Sequence, residues 1–246
     1  MYKPKMFSMD NPKALKAKGY GYLNAIHYMA PYTLGGAGNL CPNATPGCVA
    51  LCLGRNSGQA GMVAWPADMN SVRQSRVYKA RMFMTNRKLY MEWLALGIES
   101  ALRKAEREGL TLVVRLNGAS DIAWEHMKNE RGSTLFDIFP DVQFVDYTKS
   151  FKRMMRWCEG AMPKNYHLTF SRTEDNEQYC EYVLALGGTV AAVFADGLPE
   201  EYMGYPVVDG DQHDLIHLQQ RGTIIGLKPK GKTAKADTTG FVIRNY

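Results

Sequence analysis

The chain has 246 residues, 46% of them apolar and 22% charged, and 30 basic against 24 acidic side chains leave a formal net charge of +6. That apolar share excludes a disordered or fibrous chain, and the modest, interleaved charge gives no chain-wide basic surface. No apolar run reaches the ~20 residues that span a bilayer, and the opening MYKPKMFSMD has no apolar signal core, so a cytoplasmic protein without membrane contact is expected. Five cysteines in a reducing compartment argue against a disulfide framework.

In chain order, residues 20–28 (YGYLNAIHY) form the first expected strand. The segment 38–61 follows and places Cys41, Cys48 and Cys52 at C-x6-C-x3-C spacing. Pro42, Pro46 and Gly47 make the first gap turn, while glycines, Asn56 and Ser57 follow the third cysteine. The second gap is an i,i+4 step, so a helical turn over 49–53 would put both thiols on one face. Thiolates are soft ligands for zinc or iron–sulfur clusters. Structural zinc usually takes four ligands and only three cysteines are local, which favours a [4Fe–4S] cluster over zinc. Free buried thiols are the plainer alternative. Three of them within one Pro/Gly loop speak against it.

The Met-rich stretch 82–91 is expected to pack a helix, and residues 87–108 carry helical spacing that stops at Gly109. Strands are expected at 111–116, 142–147, 166–170, 189–194 and 223–227, with weaker signals at 207–209 and 241–244. Helices are expected at 150–158 and 175–186, the latter with Tyr179, Tyr182, Val183 and Leu186 on one face. Cys158 and Cys180 sit in these helical patterns as core residues, although either could serve as a fourth ligand. Alternating strands and helices predict a parallel sheet with right-handed crossovers. The fold class is therefore α/β: a complete or partial (β/α) TIM-like barrel over residues 1–246 as one domain, with the cysteine-rich loop after the first strand. A doubly wound open sheet comes second.

Barrel enzymes gather function at strand C-termini. Here those ends carry Asn117 and Asp121, Asp146 and Lys149, Arg172, His213 within DGDQHD, and Lys228. Asp121, Asp146, Lys149 and His213 are the candidates for catalysis, and Asn117, Arg172 and Lys228 for cofactor binding. Plainer readings are a solvated acidic turn at DGDQHD, an Asp146–Lys149 pair and a structural charge at Arg115. Lys228, Lys230, Lys232 and Lys235 crowd one stretch that suits phosphate, of a nucleotide or of nucleic acid.

The motifs CPNATPGCVALC, SRVYKARMF, RLNGASD, VDYTKS, LTFSRTE and DGDQHD with GTIIGLKPKG run from Cys41 to about Lys232. In this order they resemble a phage family named for mycobacteriophage gene product eighty-eight. The resemblance implies a phage or prophage origin, hence the host cytoplasm, and no particular reaction. More distantly, a three-cysteine loop after a barrel's first strand is similar to the radical S-adenosylmethionine superfamily. That superfamily's usual motif is C-x3-C-x2-C, from which this spacing departs, so cluster binding carries over better than radical chemistry. The expected function is a phage iron–sulfur protein, acting on a small molecule with S-adenosylmethionine as a possible cofactor. A zinc-binding protein that docks nucleic acid or a host protein is the second expectation. A metal-independent hydrolase built on DGDQHD ranks last.

Overall fold

The computed structural model describes residues 4–56 and 69–244. Ten strands form one mixed α/β sheet: β1 (Phe7–Ser8), β2 (Tyr22–His27), β3 (Thr111–Arg115), β4 (Gln143–Thr148), β5 (Tyr166–Ser171), β6 (Val190–Phe194), β7 (Glu201–Tyr202), β8 (Tyr205–Asp209), β9 (Ile224–Leu227) and β10 (Val242–Ile243). Their order is β1-β2-β3-β4-β5-β6-β9-β8-β7, and β10 pairs with β6. All pairings are parallel except β1–β2 and β7–β8. Val193 pairs with both Leu227 and Val242, so β10 extends the edge of β6 beyond the point where β5 stops. Every strand expected from the sequence is present to within a few residues. The short β1 precedes the strand expected to be first, so the cysteine segment follows the second strand of the sheet.

Nine helices accompany these strands among the described residues: α1 (Pro12–Lys18), α2 (Pro46–Ala50), α3 (Leu53–Asn56), α4 (Ser71–Thr85), α5 (Arg87–Glu108), α6 (Leu135–Ile138), α7 (Phe151–Cys158), α8 (Glu177–Ala185) and α9 (Gly231–Lys235). The Met-rich stretch spans two of them. Asn86 ends α4 and caps α5, its side chain accepting from the Leu89 N–H. α5 ends where Gly109 turns left-handed and the Leu110 N–H reaches the Ala105 carbonyl, a conformation that suits glycine. In α8 the buried side chains are Cys180, Val183 and Leu184, while Tyr179, Tyr182 and Leu186 are exposed. The expected aromatic face of that helix therefore points outward. Tyr179 instead stacks on Phe151 of α7, with ring centroids 4.4 Å apart.

Strand residues alternate between two buried faces, following the two-residue pleat. Leu112, Val114, Phe144, Leu168, Phe170, Ala192 and Phe194 join the main core with residues of α4, α5, α7 and α8. Val113, Val145, Ala191 and Ile225 face the other way, onto Ala17 of α1 and onto Leu215 and Ile216. Polar chemistry collects at the C-terminal ends of the parallel strands.

A buried polar network fixes the loop after β3. The Asn117 side-chain oxygen accepts from Ser120 Oγ, the Ile122 N–H and Trp124 Nε1 at 2.9–3.0 Å. Asp146 accepts from the Asn117 N–H at 2.7 Å, from Asn117 Nδ2 at 3.1 Å and from the Tyr166 hydroxyl at 2.8 Å. Arg153 donates to Tyr166, to both oxygens of Glu125 and to Asp121. Gly118 lets this loop pass the end of β2, because an added Cβ would lie 2.5 Å from the His27 carbonyl oxygen.

Gly118→Ala is expected to cost about 2 kcal/mol in urea unfolding, because backbone rather than a flexible side chain must move. Burial pushes His27 down to about 3 and both His167 and His217 to about 4, and pushes Asp146 up to about 7. Near pH 5 the unfolded chain protonates three histidines that the fold keeps neutral, while the fold retains one extra proton at Asp146. The unfolded state thus binds roughly two protons more, and stability should fall by about 2 kcal/mol on acidification from pH 6 to 5. Urea midpoints that hold or rise over that range would show that these histidines are not buried in neutral form.

Candidate functional site

Cys41, Cys48 and Cys52 line a single cavity of about 240 Å³ at the C-terminal ends of β3, β4, β5, β6 and β9. Cys41 sits in the loop after β2. Cys48 lies on α2, where Thr45 caps the helix by accepting from the Cys48 N–H and Pro46 opens it. Cys52 falls in the break between α2 and α3. The helical turn therefore runs over 46–50 rather than 49–53, and the two thiols meet the cavity without sharing one helix. Ser57 and the glycines beyond it lie outside the described residues.

Glu174 clamps the start of α2. Its carboxylate accepts from the Thr45 hydroxyl at 2.8 Å and from the Gly47 N–H at 2.7 Å. An added Cβ on Gly47 would lie 2.7 Å from Thr239 Oγ1 and 2.8 Å from both Glu174 oxygens, so a larger residue would push this clamp aside. The 117–121 loop holds the other side. The Asp121 N–H donates to the Leu40 carbonyl, and the Cys41 thiol donates to the Ala119 carbonyl at 3.7 Å.

Donors approach all three sulfurs. The Tyr32 N–H donates to Cys41 Sγ at 3.3 Å. Burial pushes the Cys41 thiol up to about 12, with the Tyr32 N–H opposing. Burial also raises Cys52, and the Gly54 and Arg55 N–H groups oppose it. The Lys149 ammonium lies beside Cys48. Burial works against that charge, but Cys48, Asp121 and Cys41 outweigh it and raise the lysine above its usual range. Lys149 also lies 5.9 Å from the Phe241 ring centroid.

The residues predicted at the strand ends divide into several groups. Asn117, Asp121, Lys149, Arg172 and Lys228 line the cavity with the three cysteines. Asn117 is spent on the loop network, and both Asp121 oxygens are engaged, by Arg153, by the Thr148 hydroxyl and by the Lys149 N–H. Arg172 donates to the Gly240 and Phe241 carbonyls and to Glu177, tying the segment before β10 to the end of β5. Asp146 lies behind the cavity wall and does not pair with Lys149. His213 does not line the cavity; its ring packs edge-on to Tyr20 at 4.5 Å. Within DGDQHD, Asp211 pairs with Lys230 at 2.8 Å and Asp214 with Arg115 at 3.5 Å. Neither Cys158 nor Cys180 reaches the cavity.

Sequence reasoning missed Glu174, Glu125 and Arg153, which hold the site together from elements far along the chain. The capping signal at Thr45–Pro46 was available and marks the helix that carries Cys48. Arg115 is a structural charge in part, paired with Asp214 and lying over the Tyr147 ring, but it also lines the cavity. No helix among the described residues is long and apolar enough to cross a membrane.

Comparison with curated proteins and with solved structures gives no match. The family described as Gene product 88 matches residues 5–245, almost the whole chain, in agreement with the motifs between Cys41 and Lys232. The chain belongs to the Gene product 88 family, the phage family that those motifs resemble.

Proposed function

We propose that this phage protein is a cluster-dependent enzyme in which Cys41, Cys48 and Cys52 hold a [4Fe–4S] cluster at the mouth of a partial (β/α) barrel. The observation that carries the reading is the meeting of three thiols, each approached by an N–H or ammonium donor, on one cavity. Donors of this kind stabilise thiolate ligands and tune a cluster's potential. The partial barrel is supported by β2 to β6 lying in chain order, with α4, α5, α7 and α8 packed on one face.

Three local thiolates fit a cluster better than structural zinc, which usually takes four ligands. Among the described residues, no group of three or more His, Cys, Asp or Glu stands close enough to hold a metal ion, so either metal would have to draw the thiols closer. With Cys158 and Cys180 elsewhere, neither would serve as a fourth ligand, and a cluster held by Cys41, Cys48 and Cys52 would supply Lewis-acid activation or reductive cleavage of S-adenosylmethionine.

The chain's own residues would then divide the work. Lys149 holds a proton at Nζ beside Cys48 and offers a fixed positive charge to the cavity. Asp121 acts as a positioning residue, because Arg153 and Thr148 immobilise it. Arg172 keeps the Phe241 segment over the cavity. The acidic turn and His213 have no part in this scheme. The alternative of a zinc-stapled binder of nucleic acid or host protein draws less support, since Lys230 is paired with Asp211 and both Lys228 and Lys230 line the cavity.

Anaerobic purification is expected to yield a brown protein with about four irons and four sulfides per chain. Cys41→Ser, Cys48→Ser and Cys52→Ser should each lose most of that iron. A colourless chain with one zinc, or full iron content in these variants, would overturn the ligand assignment. In the metal-free chain, Cys41 should react with iodoacetamide at pH 8 more than about tenfold slower than free cysteine, because a thiol titrating near 12 supplies almost no thiolate. Peptide mass spectrometry over a time course reads this directly.

A further inference from the structure

The charges around the cavity are matched within the protein. Arg115 pairs with Asp214 at 3.5 Å, Arg172 with Glu177 at 2.8 Å, Lys230 with Asp211 at 2.8 Å and Asp121 with Arg153 at 2.8 Å. Lys149 lies beside Cys48 with Asp121 near it, and Lys228 stands exposed on the rim. What the wall then offers a ligand is apolar surface. The two-residue pleat turns Ser171, Ala191, Val193 and Leu227 to the same side of the sheet, where Ser171 pairs with Ala191 and Val193 pairs with Leu227. The small side chains of Ser171 and Ala191 leave a hollow there, walled by Leu51 of the cysteine segment, Ala234 of α9 and Phe241. Ser171 adds a neutral hydroxyl. Asn176 takes its carbonyl at 3.1 Å, and no group among the described residues engages the hydroxyl. Unlike the Nε atoms of Arg115 and Arg172, that hydroxyl is not sealed behind other atoms.

From these features we propose that the cavity binds a compact uncharged organic molecule, its apolar body against Ala191, Val193, Leu227 and Phe241 and one polar group bonded to Ser171. A charged ligand would give up its hydration on entry and compete with ion pairs already formed, whereas a neutral apolar body gains free energy from the surface it buries. A largely apolar wall with few placed polar groups is the usual form of a small-molecule site. At about 240 Å³ the space falls just below the ~300 Å³ lower end of ordinary ligand pockets, which selects a body no larger than one or two rings. That such a molecule is the substrate of the cluster rests on the reading above. Its binding does not.

Benzamide, benzoate and benzamidinium share one shape and differ in charge, so titration calorimetry with all three at neutral pH on the metal-free chain tests the proposal. Acetamide, which has the polar group without the ring, is the further control. Benzamide should bind with a Kd of about 1 mM or tighter, and at least about fivefold more tightly than any of the other probes. Salt should leave its affinity unchanged within about twofold, because no ligand charge is there to screen. Ala191→Leu, which fills the hollow, should abolish binding, with circular dichroism confirming the fold. Ser171→Ala removes one hydroxyl from a small side chain; it should keep the fold and weaken benzamide at least about threefold. If Ala191→Leu does not fold, Ser171→Ala decides. Absence of benzamide binding, preference for benzoate or benzamidinium, equal binding of acetamide, or indifference to either substitution would overturn the site. Benzamide binding by a chain that takes up no iron would retain the site and refute only the cluster. A chain that loads iron but ignores benzamide in its metal-free form would do the reverse.

Discussion

The site depends on the buried carboxylate of Asp146. It sits at the centre of the sheet with no exposure and accepts three hydrogen bonds, two of them from Asn117. Asn117 in turn takes three donors from the next seven residues, and Arg153 joins Tyr166 to Glu125 and Asp121. A buried carboxyl group of this kind is tolerated only when its hydrogen bonds are complete, and a half-satisfied network costs more than an apolar core. The loop after β3 is thereby rigid, and its backbone touches both Leu40 and Cys41. The position of the first cysteine is inherited from a carboxylate that never reaches the cavity.

Two further ties close the arrangement. Glu174 holds the first turn of α2 and with it Cys48, while Arg172 draws the 240–241 segment against the end of β5. Both residues follow β5 within three positions, so one strand end anchors opposite walls of the cavity. Parallel strands supply this economy because their C-terminal ends emerge side by side and present successive loops to one space. The cysteines are held by loops, yet those loops are fixed by charged groups rooted in the sheet.

Burial and donor placement act against each other at the sulfurs. Desolvation favours the neutral thiol at Cys41 and Cys52, while the N–H groups aimed at them favour the thiolate. Without metal, desolvation wins and the thiols keep their protons. Metal binding would release those protons and bring the same N–H groups into play as ligand supports. The histidines contribute elsewhere: His27 is locked between the Leu116 carbonyl and the Tyr90 hydroxyl, a structural role.

Much of the framework was legible in the sequence because it rests on local rules. Apolar runs of four to six residues such as TLVVR and VAAVF mark strands buried on both faces, and Gly109 marks the end of α5 because only its left-handed turn closes that helix well. The cysteine spacing likewise announced a shared site. What the sequence could not decide was direction and company. The tyrosines of α8 carry helical spacing but face outward, because the neighbouring layer accepts Cys180 and Val183 instead. Asp146 and Lys149 are three residues apart yet serve opposite sides of a strand end, since the pleat turns alternate side chains to opposite faces. His213 sits in a polar motif at a strand end, yet the chain folds it against Tyr20. Sequence by itself determined the α/β character, the strand positions and the three thiols, all set by short-range periodicity and spacing. Only the tertiary structure decided which polar groups surround those thiols, because Glu174, Arg153 and Arg172 reach them through contacts that span most of the chain.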